Sequence, residues 1–275
     1  MKMLCLIFSK DRAAQLLALL ESFHYFCSDI EMFDIVILYK TSSQWHQDQY
    51  SELEESHPGI QFILENTFEK DVRALLTQKY ILFLVDDCIF INSFRMQDAA
   101  SLLESQQDCI GVSLRLGSNI TYCYPKGISQ AQPEFFKYEN ALMKFNWVTS
   151  EHDFGYPMEV SSSLYRVEDV IFLLNSHSFA TVNHLEGILM RRSSAFKISK
   201  PFLLSYLTSR AFCNPLNIVS CVGTSTNRKS QNMDYKSDEL SRKFGDNLKI
   251  DISKFIDFIP IGCHQEVDIK WMKRA

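Results

Sequence analysis

Two adjacent acids end an apolar run, Leu82-Phe83-Leu84-Val85-Asp86-Asp87. The run reads as a buried strand, which puts both carboxylates at its carboxyl end. In open α/β sheets that edge is where ligands bind. Neighbouring carboxylates repel each other and lose solvation together. A divalent cation relieves both, and hard cations such as magnesium take oxygen ligands. The competing reading is a solvated turn, since Asp is common in turns.

The elements that must position these acids follow from periodicity. Met3 to Phe8 reads as a buried strand, followed by a polar turn and a helical stripe from Ala13 to Phe26. Strands are expected at 33–39, 60–64 and 80–85, with helices at 44–57 and 68–76 between them. Strands separated by helices imply parallel pairing with right-handed crossovers. The fold class is α/β: a Rossmann-like, mostly parallel central sheet flanked by helices. One domain spans 1–275, with a nucleotide-binding half at 1–100 and a loop-rich acceptor and catalytic half at 101–275. In that second half Ile110 to Leu116 alternates like a strand, and residues 117–160 are aromatic and irregular. Helices are expected at 167–174 and 185–192, and Phe255 to Ile261 reads as an apolar, strand-like run.

Composition narrows the class. The chain has 275 residues, a net charge of −5 and 13% aromatic residues. Its Lys and Arg are scattered, so a groove that tracks nucleic-acid phosphates is not expected. The eight cysteines form no CxxC pair and read as buried reduced thiols of a cytoplasmic protein. No apolar run approaches the roughly 20 residues of a membrane span. Neither GxGxxG nor GxxxxGK[ST] is present.

A set of short motifs then resembles the nucleotide-sugar-dependent glycosyltransferases of the GT-A fold, family-2-like bacterial enzymes among them. The motifs are Ser-Lys-Asp-Arg at 9–12, Leu-Tyr-Lys at 38–40, Val-Asp-Asp at 85–87 and Ser-Leu-Arg-Leu-Gly at 113–117. They continue with Asp-Phe-Gly-Tyr-Pro at 153–157, Asn-His-Leu-Glu-Gly at 183–187, Asn-Arg-Lys-Ser-Gln at 227–231 and Cys-His-Gln-Glu at 263–266. The resemblance implies sugar transfer from a nucleotide-diphosphate donor to a hydroxyl of a glycan, lipid-linked or protein acceptor. It implies an inverting, metal-dependent reaction with manganese or magnesium. Two departures stand out. The family's Asp-x-Asp is here Asp86-Asp87 followed by Cys88, which points to Asp87 as the direct metal ligand and turns Asp86 towards the ribose. Relatives place an acid and a Gly near the position where this chain has Ser161-Ser162-Ser163, which implies an altered pocket.

Residue by residue, the resemblance assigns Asp11 to the nucleoside and Arg12 to a phosphate; Asp11 equally fits a helix N-cap and Arg12 a solvated surface residue. Glu186 becomes the general base that takes the acceptor proton, with Asp153 as second choice. Asn183-x-x-Glu186 also fits a capping box, and both readings stay open. Arg115 and Arg228 are candidate diphosphate contacts through their planar donors, or else structural ion pairs. His264 is the candidate second metal ligand, as a neutral imidazole. Metal affinity is then expected to weaken as pH falls through roughly 6.5. The polar stretch 224–237 is expected to order around donor and metal. Two other classes remain: a degenerate GT-A domain that binds a nucleotide sugar or a protein without turnover, and a nucleotidyltransferase. The second usually carries a Gly-rich amino-terminal loop, where this chain has Phe8-Ser-Lys-Asp-Arg.

Overall fold

The computed structural model describes residues 2–218 and 230–274. Strand β1 (Met3–Lys10) leads into helix α1 (Ala13–Phe26), then β2 (Phe33–Lys40), α2 (Gln44–Ser56), β3 (Gln61–Leu64), α3 (Phe68–Leu75) and β4 (Tyr80–Val85). Each falls within two residues of the expected bounds. β1, β2, β3 and β4 pair in parallel in the order β3-β2-β1-β4. Met3 to Phe8 of β1 are all apolar because both faces of the strand are covered. Cys5 and Ile7 pack into one core cluster, Leu4, Leu6 and Phe8 into the other.

After β4 the chain makes a short strand β5 (Cys88–Phe90), helix α4 (Met96–Ser105) and β6 (Cys109–Ser113). The strand expected to run to Leu116 stops at Ser113. Beyond it, Leu114 donates its amide to Ser162 and accepts from Arg210 and Ala211. Small strands follow: β7 (Tyr122–Cys123), β8 (Ile128–Ser129), β9 (Phe136–Lys137) and β10 (Leu142–Asn146).

Strand β11 (Ser162–Arg166) then enters the main sheet between β4 and β6, antiparallel to both. It continues into α5 (Val167–Leu174) and α6 (Val182–Arg192), then β12 (Phe202–Tyr206), parallel to β6, and β13 (Ala211–Cys213), which pairs with β5. Helix α7 (Ser237–Gly245) and the hairpin of β14 (Leu248–Ile250) and β15 (Trp271–Lys273) finish the chain. The central sheet has nine strands in the order β3-β2-β1-β4-β11-β6-β12-β10-β9. Only β11 and β10 run against the rest. The expected mostly parallel α/β sheet is thus borne out, and it passes through both halves of the chain.

The reversal of β11 is what assembles the site. Ser162 pairs with Leu84 and Ser163 with Ser113. The residues leading into β11 therefore arrive beside those leaving β4 and β6.

One local expectation is corrected. Phe255 to Ile261 is not a strand. Its start closes a 3-10 turn (Ile252–Phe255), Asp257 has a positive φ of 59°, and Ile256, Ile259 and Ile261 are exposed. Pro260 removes a ladder donor there as well. Of the polar stretch 224–237, residues 224–229 lie outside the described residues. Residues 233–235 form a 3-10 turn, and Ser237 opens α7.

Candidate active site

A cavity of ≈ 840 Å³ opens at the carboxyl edge of β1, β4 and β6. Arg12, Asp86, Asp87, Arg115, Asp153, Glu186 and His264 all line it. Of the sequence candidates, Asp11 does not line it and Arg228 lies outside the described residues.

The acid pair is not bare. Asp86 is buried and saturated from within the protein. One carboxylate oxygen accepts the Ser9 hydroxyl at 2.9 Å and the Lys10 amide at 3.1 Å, and the other accepts Arg12 Nη1 at 2.7 Å. Arg12 also reaches Asp87 Oδ2 at 3.7 Å, and its Nε and Nη2 are held by the side chain and carbonyl of Asn217. The solvated-surface reading of Arg12 fails, since the residue is buried. Asp87 is the less enclosed of the two acids, its side chain 16% exposed against 5% for Asp86. Burial pushes its carboxyl up to about 6, against the opposing pull of Arg12.

Asp11 does not cap α1. The N-cap position is Arg12 and has no side-chain bond. Asp11 itself adopts a left-handed backbone with φ 54°, and its carboxylate accepts the Ser42 amide at 2.7 Å. It ties the loop after β1 to the loop after β2.

Glu186 is also not a capping-box partner. Helix α6 starts earlier than expected, and Thr181 caps it by accepting the His184 amide at 3.2 Å. Glu186 is the fifth residue of α6 and lines the cavity, where the nearby Val160 amide favours its ionised form. Burial pushes its carboxyl up to about 7; Arg115 lowers it and Glu159 raises it. A carboxyl poised there exchanges a proton readily near neutrality.

Asp153 is braced on both sides by Gln130, which donates to its carboxylate at 2.9 Å and accepts its amide at 3.1 Å. Arg115 is 4% exposed; its Nη1 donates to Ser161 at 3.2 Å and its Nε lies 3.8 Å from Glu159.

His264 is bridged to Cys213, and Cys213 pairs with Cys88 on its other side. His264 and Asp87 thus flank β13, about 10 Å apart at the backbone from two interstrand spacings. Among the described residues the buried His264 Nδ1 has no hydrogen-bond partner. Burial, then Arg115, holds the imidazole down to about 3. The expected loss of metal affinity near 6.5 through this group is therefore corrected: the ring is neutral across that range.

Sequence reasoning missed Glu159, Asn217 and Ser9. The run Ser161-Ser162-Ser163 held the signal for Glu159: hydroxyls and amides in series make a carboxylate receptor, and the acid stands just ahead of them.

No family model matches the chain. Over 186 residues it is 27% identical to the bifunctional glycosyltransferase pgtA of Dictyostelium discoideum, a match that covers 61% of this chain and 24% of that protein. The chain thus corresponds to about a quarter of that relative. Among solved structures, S. aureus TarS 1-349 superposes with a TM-score of 0.51 at 15% identity, covering 78% of this chain and 60% of that one. The same protein in complex with UDP gives 0.50 at 13% identity, covering 78% and 61%. At such identities the structural likeness is one of fold.

The sequence match and the fold point the same way, to the glycosyltransferases that this chain resembles. The resemblance that its short motifs carried is borne out.

Proposed function

We propose that this chain transfers a sugar from a nucleotide-diphosphate donor to a hydroxyl acceptor with inversion, Glu186 serving as general base. The observation that carries the reading is the Glu186 carboxyl, pushed up to about 7 by burial and facing the same cavity as the strand-end acids. TarS, which shares the fold, has been captured with UDP, and this supports a nucleoside diphosphate as the leaving group.

The chain's own residues would divide the work. Asp86, Ser9 and Arg12 form a rigid floor below the donor. Arg115 sits in the wall between donor and acceptor. Glu186 takes the acceptor proton as the sugar bond breaks, which typically contributes about 10²–10⁴-fold to the rate. Asp87 and His264 fit a divalent cation in ligand type: a carboxylate and a neutral imidazole with a buried nitrogen unpartnered among the described residues. Among the described residues no group of three or more His, Cys, Asp or Glu could hold a metal, so the donor's diphosphate would complete the shell. Manganese or magnesium there would neutralise charge on the departing diphosphate.

The acceptor is a glycan, lipid-linked or protein hydroxyl. No helix among the described residues is long and apolar enough to cross a membrane. We retain a cytoplasmic setting as part of the proposal.

A second reading, a domain that binds the donor without turnover, has one observation behind it: Arg12 already neutralises Asp86 at 2.7 Å, so the acids coexist without a metal. Hydrolysis and transfer of UDP- and GDP-sugars, with and without manganese, separates the two. Turnover that is lost in Glu186→Gln supports the transferase. Donor binding by calorimetry with no turnover in any condition establishes the binder.

A further inference from the structure

A buried carboxylate that this chemistry does not use lies beside the one that it does. Glu159 is 2% exposed. Its Oε2 accepts the amide and hydroxyl of Ser161 and the Ser162 amide at 3.1 Å; its Oε1 accepts the Ser163 hydroxyl. An ionised carboxylate offers about four acceptor sites, and these donors fill them. The cradle is fixed from outside. Tyr165 donates its hydroxyl to the Glu159 carbonyl at 2.8 Å, and Ser162 and Ser163 are locked by their register in β11.

Arg115 leans on this cradle. Its Nε lies 3.8 Å from Glu159 Oε1 and its Nη1 donates to Ser161 Oγ at 3.2 Å. Ser161 is thus shared, donating to the acid and accepting from the guanidinium. Arg115 and Glu186 face one another's charge across the same cavity wall.

We propose that Glu159 is a positioning residue: it anchors Arg115 through the Ser161 cradle, so that the guanidinium is presented to Glu186 without closing on it as an ion pair. This rests on the reading of Glu186 as the base. The charged and titratable groups facing Glu186 are Arg115 after β6, Tyr156 and Glu159 ahead of β11, and Tyr165 within it. Arg115 favours the ionised base and Glu159 opposes it. Burial is the main cause of the raised Glu186 carboxyl; with Arg115 held on Glu159 by the cradle, the guanidinium lowers it only in part, which leaves Glu186 near neutrality, where a general base works best.

The test is a pair of variants read in two ways. Glu159→Gln keeps the shape and removes the charge; Arg115→Gln removes the guanidinium. The Glu186 carboxyl is titrated by NMR on full-length protein carrying ¹³C-labelled glutamate, and the acid limb of kcat is followed where turnover exists. Glu159→Gln should move the titration to lower pH and Arg115→Gln to higher pH, each by about one pH unit. A purely structural role would lower melting temperature and rate in both variants without opposite displacements. Shifts in the same direction, or none in either variant, overturn the proposal. A variant that fails to fold is replaced by Ser161→Ala, which cuts the shared hydroxyl and should move the titration downward as Glu159→Gln does. The titration needs no turnover, so an inactive wild type would sink the transferase reading while this arrangement is still judged on its own.

Discussion

The Arg12 guanidinium lies 2.7 Å from Asp86 and 3.7 Å from Asp87, so the strand-end acids carry a built-in counter-cation. The repulsion that seemed to call for a metal is met in part by a residue one turn of chain away from β1. What is left for an external cation is Asp87 alone, together with His264.

Removing that counter-cation should be costly to the fold. Arg12→Met leaves Asp86 buried with a lost partner, a change that typically costs about 3–5 kcal/mol. Urea denaturation of the variant against wild type measures it. A loss below about 1 kcal/mol would show that Ser9 and the Lys10 amide suffice.

Glu186→Gln should keep donor affinity and lose transfer by about 10²–10⁴-fold. Because Thr181, not Asn183, caps α6, the change should leave the helix and the melting temperature intact at acidic pH. Full activity in the variant would pass the base role to Asp153.

Stability and activity should run in opposite directions with pH. Folded Glu186 keeps its proton up to about 7, against an ordinary value of 4.5. The folded chain therefore binds more protons than the unfolded one within that window, and stability falls as pH rises through it. Its stabilising contribution is complete below about 4.5 and gone above about 7. Asp87, pushed up to about 6 from 3.8, adds the same sign. Transfer should rise over the same interval as the base ionises. Thermal melts from pH 4 to 8 should show the decline, and it should be shallower in Glu186→Gln. Equal slopes in the two proteins would contradict a raised Glu186.

Asp87→Asn and His264→Ala should each weaken manganese binding in the presence of nucleoside diphosphate, read by calorimetry. Wild-type affinity in both would remove the metal from the reading.

Strands β1 to β4 were legible because each is an apolar run closed by polar residues, and β4 announced the site by ending in two acids; β11, with its serine-rich start, was not. Glu186 was legible as an acid but ambiguous in role. A cap is decided by which residue adopts the extended backbone, here Thr181 at φ −150° and ψ 163°, two positions before the one that spacing favoured. Glu159 was not legible, since its value depends on amides and hydroxyls converging in a turn. Nor was the Arg12 contact with Asn217, 205 residues away in the chain.

That last contact has a kinetic meaning. The loop after β1 is held by Asn217 and, through the Asp11 carbonyl, by Ser237, 226 residues on. Closing loops of such length comes late, after the local β-α units have formed. The amino-terminal strands could therefore assemble early on the ribosome and still present an unfinished floor. The cavity is complete only when the last third of the chain has docked, so a ligand bound there would report completed folding.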